Sequence, residues 1–306
     1  MKKDLLTVEE LTREDIENIL ERTGILKEKQ KKREPYCPLI GKTLGMFFEK
    51  ASTRTRVSFE VGIYQLGGQA IFLTPQDMQI GRGESIEDTA RVLSRYIDGL
   101  LVRTFSQKTV EDMARYTTIP VINGLTDTHH PCQILSDLFT IKEKKGRLDG
   151  LKLCYIGDGN NVANSLIEGA GKVGIGLSLA CPDGYDPDGD IVKKAKATAG
   201  KGRTHMEILR DPLKAAEGAD ILYTDVWASM GQESEREKRL KAFRSYQINR
   251  GLVETAKPDV IVMHCLPAHR GEEITDEVIE GKHSIVLDQA ENRLHTQKAI
   301  MEILMG

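Results

Sequence analysis

Two α/β domains, each a parallel sheet with helices on both faces and joined by a linking helix, are predicted for this chain of 306 residues. Three observations lead there. Short apolar runs alternate with stretches whose apolar residues recur at helical spacing, the rhythm of strand, crossover helix and parallel strand. A longer helical pattern at 131–145 interrupts that rhythm, which then starts again. The chain is also long for a single hydrophobic core, so two are expected.

Taken in order, Thr12 to Lys32 is predicted as an amphipathic helix, with Thr12 as its N-cap and Asp15 in the capping-box position. Strands are expected at 44–48, 70–73, 99–102 and 120–123, with helical patterns between them. One of those patterns follows Ser52. Another opens at Ser85, with Asp88 three residues on. Pro131 suits the first turn of the long pattern, which ends in Gly146. A second series of strands is expected at 151–156, 176–180, 219–224, 260–263 and 284–287, with a weaker candidate at 205–209. A last helix covers about 292–304. The boundaries predicted are 1–133 for the first domain, 134–147 for the linking helix, 148–291 for the second domain and 292–306 for the terminal helix. No internal repeat at solenoid spacing and no low-complexity segment interrupts this plan.

Composition narrows the class. A formal net charge of −3, with no basic block dominating any region, argues against a nucleic-acid surface. The densest basic cluster, Lys27 to Arg33, is mixed with Glu28 and flanked by Glu34, as at a solvated helix end. No run approaches the roughly 20 apolar residues of a membrane span. The start, Met1-Lys2-Lys3-Asp4, lacks the apolar core of a signal peptide. Five cysteines without a Cys-x-x-Cys pair form neither a disulfide framework nor a zinc-finger pattern, so a reducing, cytoplasmic compartment is expected.

Ligands of open α/β sheets bind beyond the carboxyl ends of the strands, so the polar clusters that follow the strands carry most weight. Ser52-Thr53-Arg54-Thr55-Arg56 joins a strand to a helix start, where free N–H groups, the helix dipole, hydroxyls and two arginines converge. A Ser/Thr cap with a solvated basic face is the plainer reading of hydroxyls there. The interleaved arginines favour an anion site. Arg103 directly follows the strand 99–102. His129-His130-Pro131-Cys132-Gln133 opens the long helix, with His130 and Gln133 spaced to face one ligand or to cap locally. Gly157-Asp158-Gly159-Asn160-Asn161-Val162 looks like a dinucleotide fingerprint, but Val162 stands at the third glycine and no acidic residue ends the next strand. That weakens a nicotinamide dehydrogenase, and the two asparagines suit a polar small molecule. Asp225-Val226-Trp227-Ala228-Ser229-Met230-Gly231 could hold an ammonium through Asp225 and a carboxylate through its turn, or be a surface loop. In His264-Cys265-Leu266-Pro267, neighbouring side chains on an extended chain diverge, so His264 and Cys265 are not expected to form a dyad.

Together these motifs resemble those of the aspartate/ornithine carbamoyltransferase family, in its order and over essentially the whole chain. The resemblance implies a carbamoyl-phosphate-binding first domain, on which the terminal helix packs back, and an acceptor domain. The two would close over a cleft in a homotrimer, or an assembly of trimers, with shared active sites. It implies that Ser52, Thr53, Arg54 and Thr55 hold the phosphate, that Arg103, His130 and Thr55 polarise the carbamoyl oxygen, and that Gln133 holds the carbamoyl amide. Gln79 would be lent by a neighbouring subunit, and Arg293 would touch carbamoyl phosphate. Asn161, Asp225, Ser229 and Met230 would bind the amino-acid end of ornithine, with Cys265 and Leu266 lining the reaction centre. The reaction implied is carbamoyl transfer to an amine, with no metal and no organic cofactor. An aspartate acceptor would want more cationic groups than the Asp225 and His264 motifs offer. Putrescine lacks the carboxylate, and acetylornithine or succinylornithine would gain nothing from Asp225.

Overall fold

Nine strands form two parallel sheets among the described residues of this computed structural model, which are 2–76, 78–199, 205–228 and 233–306. The chain divides into two compact units, Met1–Phe139 with Glu291–Gly306, and Thr140–Ala290.

In the first unit, β1 (Thr43–Phe48), β2 (Gln69–Leu73), β3 (Gly99–Arg103) and β4 (Val121–Leu125) run parallel in the order β2-β1-β3-β4. The two interior strands, β1 and β3, are buried at every position, as strands covered on both faces must be. The edge strand β2 is partly exposed. The helices are α1 (Arg13–Lys31), α2 (Thr53–Gln65), α3 (Ile86–Leu93) and α4 (Gln107–Tyr116), and α5 (Pro131–Lys145) starts in this unit and runs on into the second. Their starts follow from side-chain chemistry. Thr12 and Asp15 form a reciprocal capping box, Ser52 Oγ accepts from Thr55 N at 3.1 Å, and Ser85 Oγ accepts from Asp88 N at 3.0 Å.

The second unit orders β5 (Lys152–Ile156), β6 (Gly176–Ala180), β7 (Met206–Leu209), β8 (Ile221–Thr224) and β9 (Ile261–His264) as β7-β6-β5-β8-β9, again all parallel. Its helices are α6 (Asn161–Val173), α7 (Gly189–Ala199), α8 (Pro212–Ala216), α9 (Arg236–Phe243), α10 (Arg250–Val253) and α11 (Asp276–Ile279). The predicted strand at 284–287 does not form. Ser284 makes one isolated bridge to Val262, and α12 (Val286–Met305) then begins, six residues before the expected start of the last helix. Gln289 N donates to Ile285 O at 2.9 Å, closing the first turn. Four apolar or small residues in a row do not distinguish a strand from the first turn of a helix.

From Glu291 onward α12 belongs to the first unit. Lys298 Nζ donates to Gln30 Oε1 at 2.9 Å and Gln65 Oε1 at 3.0 Å, tying α12 to α1 and α2. Gly62 lets the helices approach, since a Cβ there would lie 2.9 Å from Met301 Cε.

Each sheet reverses its winding once. The reversal falls between β1 and β3 in the first unit and between β5 and β8 in the second. Ligand crevices of doubly wound sheets lie at such points, beyond the carboxyl ends of the strands.

Candidate active site

In the first unit the last residue of β3 and a residue of α12 meet at one buried hydroxyl in the first turn of α2. Thr55, in the first turn of α2, is 1% exposed, and its Oγ1 accepts from Arg293 Nη2 at 2.9 Å and Arg103 Nη1 at 3.4 Å. Arg103 also donates from Nε to Lys50 O at 3.2 Å, so both of its acceptors are neutral. Burial, with the like charges of Arg293 and Arg54, pushes the Arg103 guanidinium down to about 9. Burial comes first again for His130, followed by Arg293 and Arg103, and holds the imidazole well below its ordinary range. It is therefore neutral at pH 7. Three guanidiniums and a neutral imidazole at a helix start form a strong anion site.

Gln133 Nε2 donates to Asp137 Oδ1 at 2.9 Å, while Gln133 Oε1 is buried with no hydrogen-bond partner among the described residues. That oxygen suits an amide N–H. Cys132 in the same motif donates to Asn123 O, and burial pushes its thiol up to about 12, so it is a packing residue and not a nucleophile. Ser52 caps α2, Thr53 is its exposed first residue and Arg54 is half-buried. Arg56 turns away from this cluster, bonding Glu60 at 2.9 Å with its guanidinium 3.7 Å from the Phe72 ring centroid. Gln79 is exposed on a short 3₁₀ turn.

In the second unit the polar residues lie after β5, β8 and β9. Asp225 Oδ1 accepts from Val226 N at 2.8 Å and Cys265 Sγ at 2.9 Å, and its Oδ2 accepts from Asn160 Nδ2 at 2.8 Å. His264 and Cys265 do not form a dyad. His264 Nδ1 accepts from Leu266 N at 2.9 Å, which puts its proton on Nε2, 3.0 Å from Glu273 Oε1. The Leu266 N–H bond supports a backbone in the left-handed region, φ 58°, before the cis bond to Pro267. Asn161 is the first residue of α6. Ser229 and Met230 lie outside the described residues.

Ligand atoms of Asp225, His264 and Cys265 fall within 4.8 Å of one another, as do those of His269, Glu272 and Glu273. Both ring nitrogens of His264 already hold bonds that shape its turn, so a cation at the first cluster would have to break one.

Three features escape a reading by local motif. Asn160, not Asn161, is the asparagine that reaches Asp225. Arg239 joins Asp158 Oδ2 at 2.8 Å and Trp227 O at 3.0 Å, bracing the loop after β8, while burial pushes the Asp158 carboxyl up to about 6. Glu273 orients His264. Only Asn160 had a signal in sequence, as half of the asparagine pair at a helix start.

Fold and geometry define a doubly wound α/β protein with an arginine-lined anion site on one unit and a carboxylate–thiol cluster on the other. Comparison with known proteins agrees. The carbamoyl-P binding domain of the aspartate/ornithine carbamoyltransferases matches residues 3–143, and the Asp/Orn binding domain matches 149–304. The chain therefore belongs to the aspartate/ornithine carbamoyltransferase family. An ornithine carbamoyltransferase of Syntrophus aciditrophicus is 57% identical over 305 residues, covering 100% of both chains. One from Thermococcus kodakarensis is 56% identical, covering 99% of this chain and 96% of that one. The solved ornithine carbamoyltransferase of Pyrococcus furiosus superposes with a TM-score of 0.96 at 55% identity, covering 99% of this chain and 97% of that one.

Proposed function

We infer that this chain is an ornithine carbamoyltransferase of arginine metabolism, moving the carbamoyl group of carbamoyl phosphate to the side-chain amine of L-ornithine and releasing L-citrulline and phosphate. The observation that carries the reading is the convergence of Arg54, Arg103 and Arg293 on the start of α2 around Thr55. Such a cluster is costly to bury unless an anion occupies it. Ser52, Thr53, Arg54 and Thr55 hold the phosphate, with Arg293 beside them. The carbamoyl oxygen is met by Arg103, Thr55 and His130, and the carbamoyl amide by Gln133. As the amine attacks, charge grows on that oxygen, and each fixed donor contributes roughly 3–4 kcal/mol in comparable sites. Charge then passes to the leaving phosphate, which the helix start and its arginines receive.

The attacking amine must be neutral, although an unperturbed alkylamine of this kind titrates near ~10.4. Asp225 meets the α-ammonium of ornithine, Asn161, Ser229 and Met230 its carboxylate end, and Cys265 and Leu266 line the reacting centre. The hydrogen bond from Cys265 to Asp225 supports this assignment, since it ties the thiol to the group that orients the substrate.

The working form is a homotrimer, or an assembly of trimers, in which Gln79 of one subunit completes the site of another. Exposed Gln79 and apolar side chains left open on α2 and the adjoining edge strand β2 support it: Val57 is 50%, Tyr64 78% and Ile71 44% exposed. No described helix is long and apolar enough to cross a membrane. All five cysteines are free thiols, which supports a reducing, cytoplasmic location.

A citrulline assay with carbamoyl phosphate and each candidate amine tests the acceptor. Ornithine is expected to exceed putrescine in kcat/KM by at least about a hundredfold, because two buried polar contacts at roughly 1–3 kcal/mol each go unmade with putrescine. Equal use of both amines would overturn the acceptor assignment.

A further inference from the structure

Asp225 presents both oxygens to neighbours, and one of those neighbours has no assigned part in the chemistry. Asn160 is the N-cap of α6. Its Oδ1 accepts from Val162 N at 2.9 Å and Ala163 N at 3.2 Å. Two backbone donors on one amide oxygen fix which way the amide faces, because a flipped amide would turn its NH₂ against both. Nδ2 is thereby committed to the other side, where it donates to Asp225 Oδ2 at 2.8 Å. The opposite oxygen, Oδ1, already takes Val226 N and Cys265 Sγ. Among the described residues only Oδ2 keeps a lone pair for an incoming cation.

We propose that Asn160 is a positioning residue for carbamoyl transfer: its amide locks the Asp225 carboxylate in one orientation, so that Oδ2 faces the acceptor's α-ammonium while Oδ1 stays on Cys265. The proposal rests on the reading of Asp225 as the group that meets ornithine. One side chain thereby registers two acceptor contacts against each other, because the cap that reaches Asp225 also sets the start of α6, where Asn161 stands next. Asn is suited to this in a way that other capping residues are not. Asp would supply a cap oxygen but place a carboxylate against a carboxylate. Ser would cap, but its hydroxyl is too short to serve the helix and Asp225 together.

That difference separates positioning from a structural cap. Asn160→Ser should melt near the wild type, since both residues cap well, and Asn160→Asp should lose stability only as pH rises and both carboxylates of the new pair ionise. In Asn160→Asp, kcat/KM for ornithine should fall at least about tenfold near neutral pH, the scale of one lost bond to a charged group. The acid limb of its pH profile should also move up by about one unit or more, since two touching carboxylates hold a proton to higher pH. Asn160→Ser should lose kcat/KM without moving that limb. Carbamoyl phosphate affinity, measured by calorimetry, should be unchanged in both. An Asn160→Asp enzyme within about twofold of wild type, with an unmoved acid limb, would overturn the proposal; so would an Asn160→Ser enzyme with wild-type kcat/KM, which stands as the test if the Asp variant does not fold. A wild-type enzyme that makes no citrulline from ornithine would instead overturn the function, and the proposal with it.

Discussion

Thr55 shows how much chemistry one buried hydroxyl can gather, since two guanidiniums donate to it and neither Arg103 acceptor carries a charge. The anion that relieves this repulsion also acts as the reporter. Inorganic phosphate or carbamoyl phosphate should raise the melting temperature of the wild type, and Arg103→Ala should abolish both that rise and turnover while leaving a folded protein. A well-folded Arg103→Ala with near-normal kinetics would sink the anion-site assignment. His130 supplies a second prediction. Burial and two arginines depress its folded pKa below the unfolded value near 6.5, so the unfolded chain binds the extra proton as pH falls through that range. Stability contributed by neutral His130 is therefore fully present above about pH 6.5 and lost below it, by up to about 1.4 kcal/mol per pH unit. His130→Gln, which cannot titrate, should show a shallower loss than wild type in denaturant unfolding between pH 7 and 5.5; parallel losses would refute the buried neutral imidazole. Arg54, Arg103 and His130 were legible in sequence because each stands at or shortly beyond the carboxyl end of a strand. Arg239–Asp158 was not, since a buried pair 81 residues apart leaves no local signature. Asn160 was half legible: the asparagine pair marks the helix start, but only geometry separates the cap from the residue after it.

Caps explain why the elements were largely readable. Thr12 with Asp15 and Ser85 with Asp88 announce α1 and α3 through the same side chains that satisfy their first N–H groups. The apolar run at 284–287 misled because period and composition are silent there, and Leu287, 77% exposed, belongs to no buried strand. The glycines after β5 have a structural cause unrelated to a dinucleotide. Gly157 sits at φ 148°, and a Cβ on Gly159 would drive into the backbone of Asp186 and Pro187. Gly159→Ala should therefore destabilise the second unit by roughly 1–3 kcal/mol, as overpacking does. Gly171, inside α6 with open space around its missing Cβ, offers the control: Gly171→Ala should gain up to about 1 kcal/mol from helix propensity. Urea unfolding of the two variants should move in opposite directions. Equal shifts would mean that the approach of 186–187 to the loop after β5 is not the constraint.

At the scale of the whole molecule, the chain uses one plan twice: a parallel sheet whose winding reverses once, with charged side chains set beyond the strands at the reversal. The plan leaves one expected contributor apart, because Gln79 stands exposed on its 3₁₀ turn, outside the bonds that gather Arg103 and Arg293 on Thr55. A neighbouring subunit is the partner that would give it a role, and a ring of identical, head-to-tail interfaces would let every subunit lend and borrow once. Subunit mixing tests this. Gln79→Ala and Arg54→Ala proteins, each inactive alone, should regain activity when dissociated and reassembled together. A complete site then arises wherever a Gln79→Ala chain, with its own Arg54, receives Gln79 from an Arg54→Ala neighbour. Random assembly from equal amounts makes such sites about one quarter of the total, so recovery should approach about one quarter of wild-type activity. Recovery should also depend on the ratio of the two chains and be greatest at equal amounts. If verified subunit exchange restores nothing, Gln79 does not serve a neighbour's site, and the shared-site trimer falls while the anion cluster around Thr55 stands.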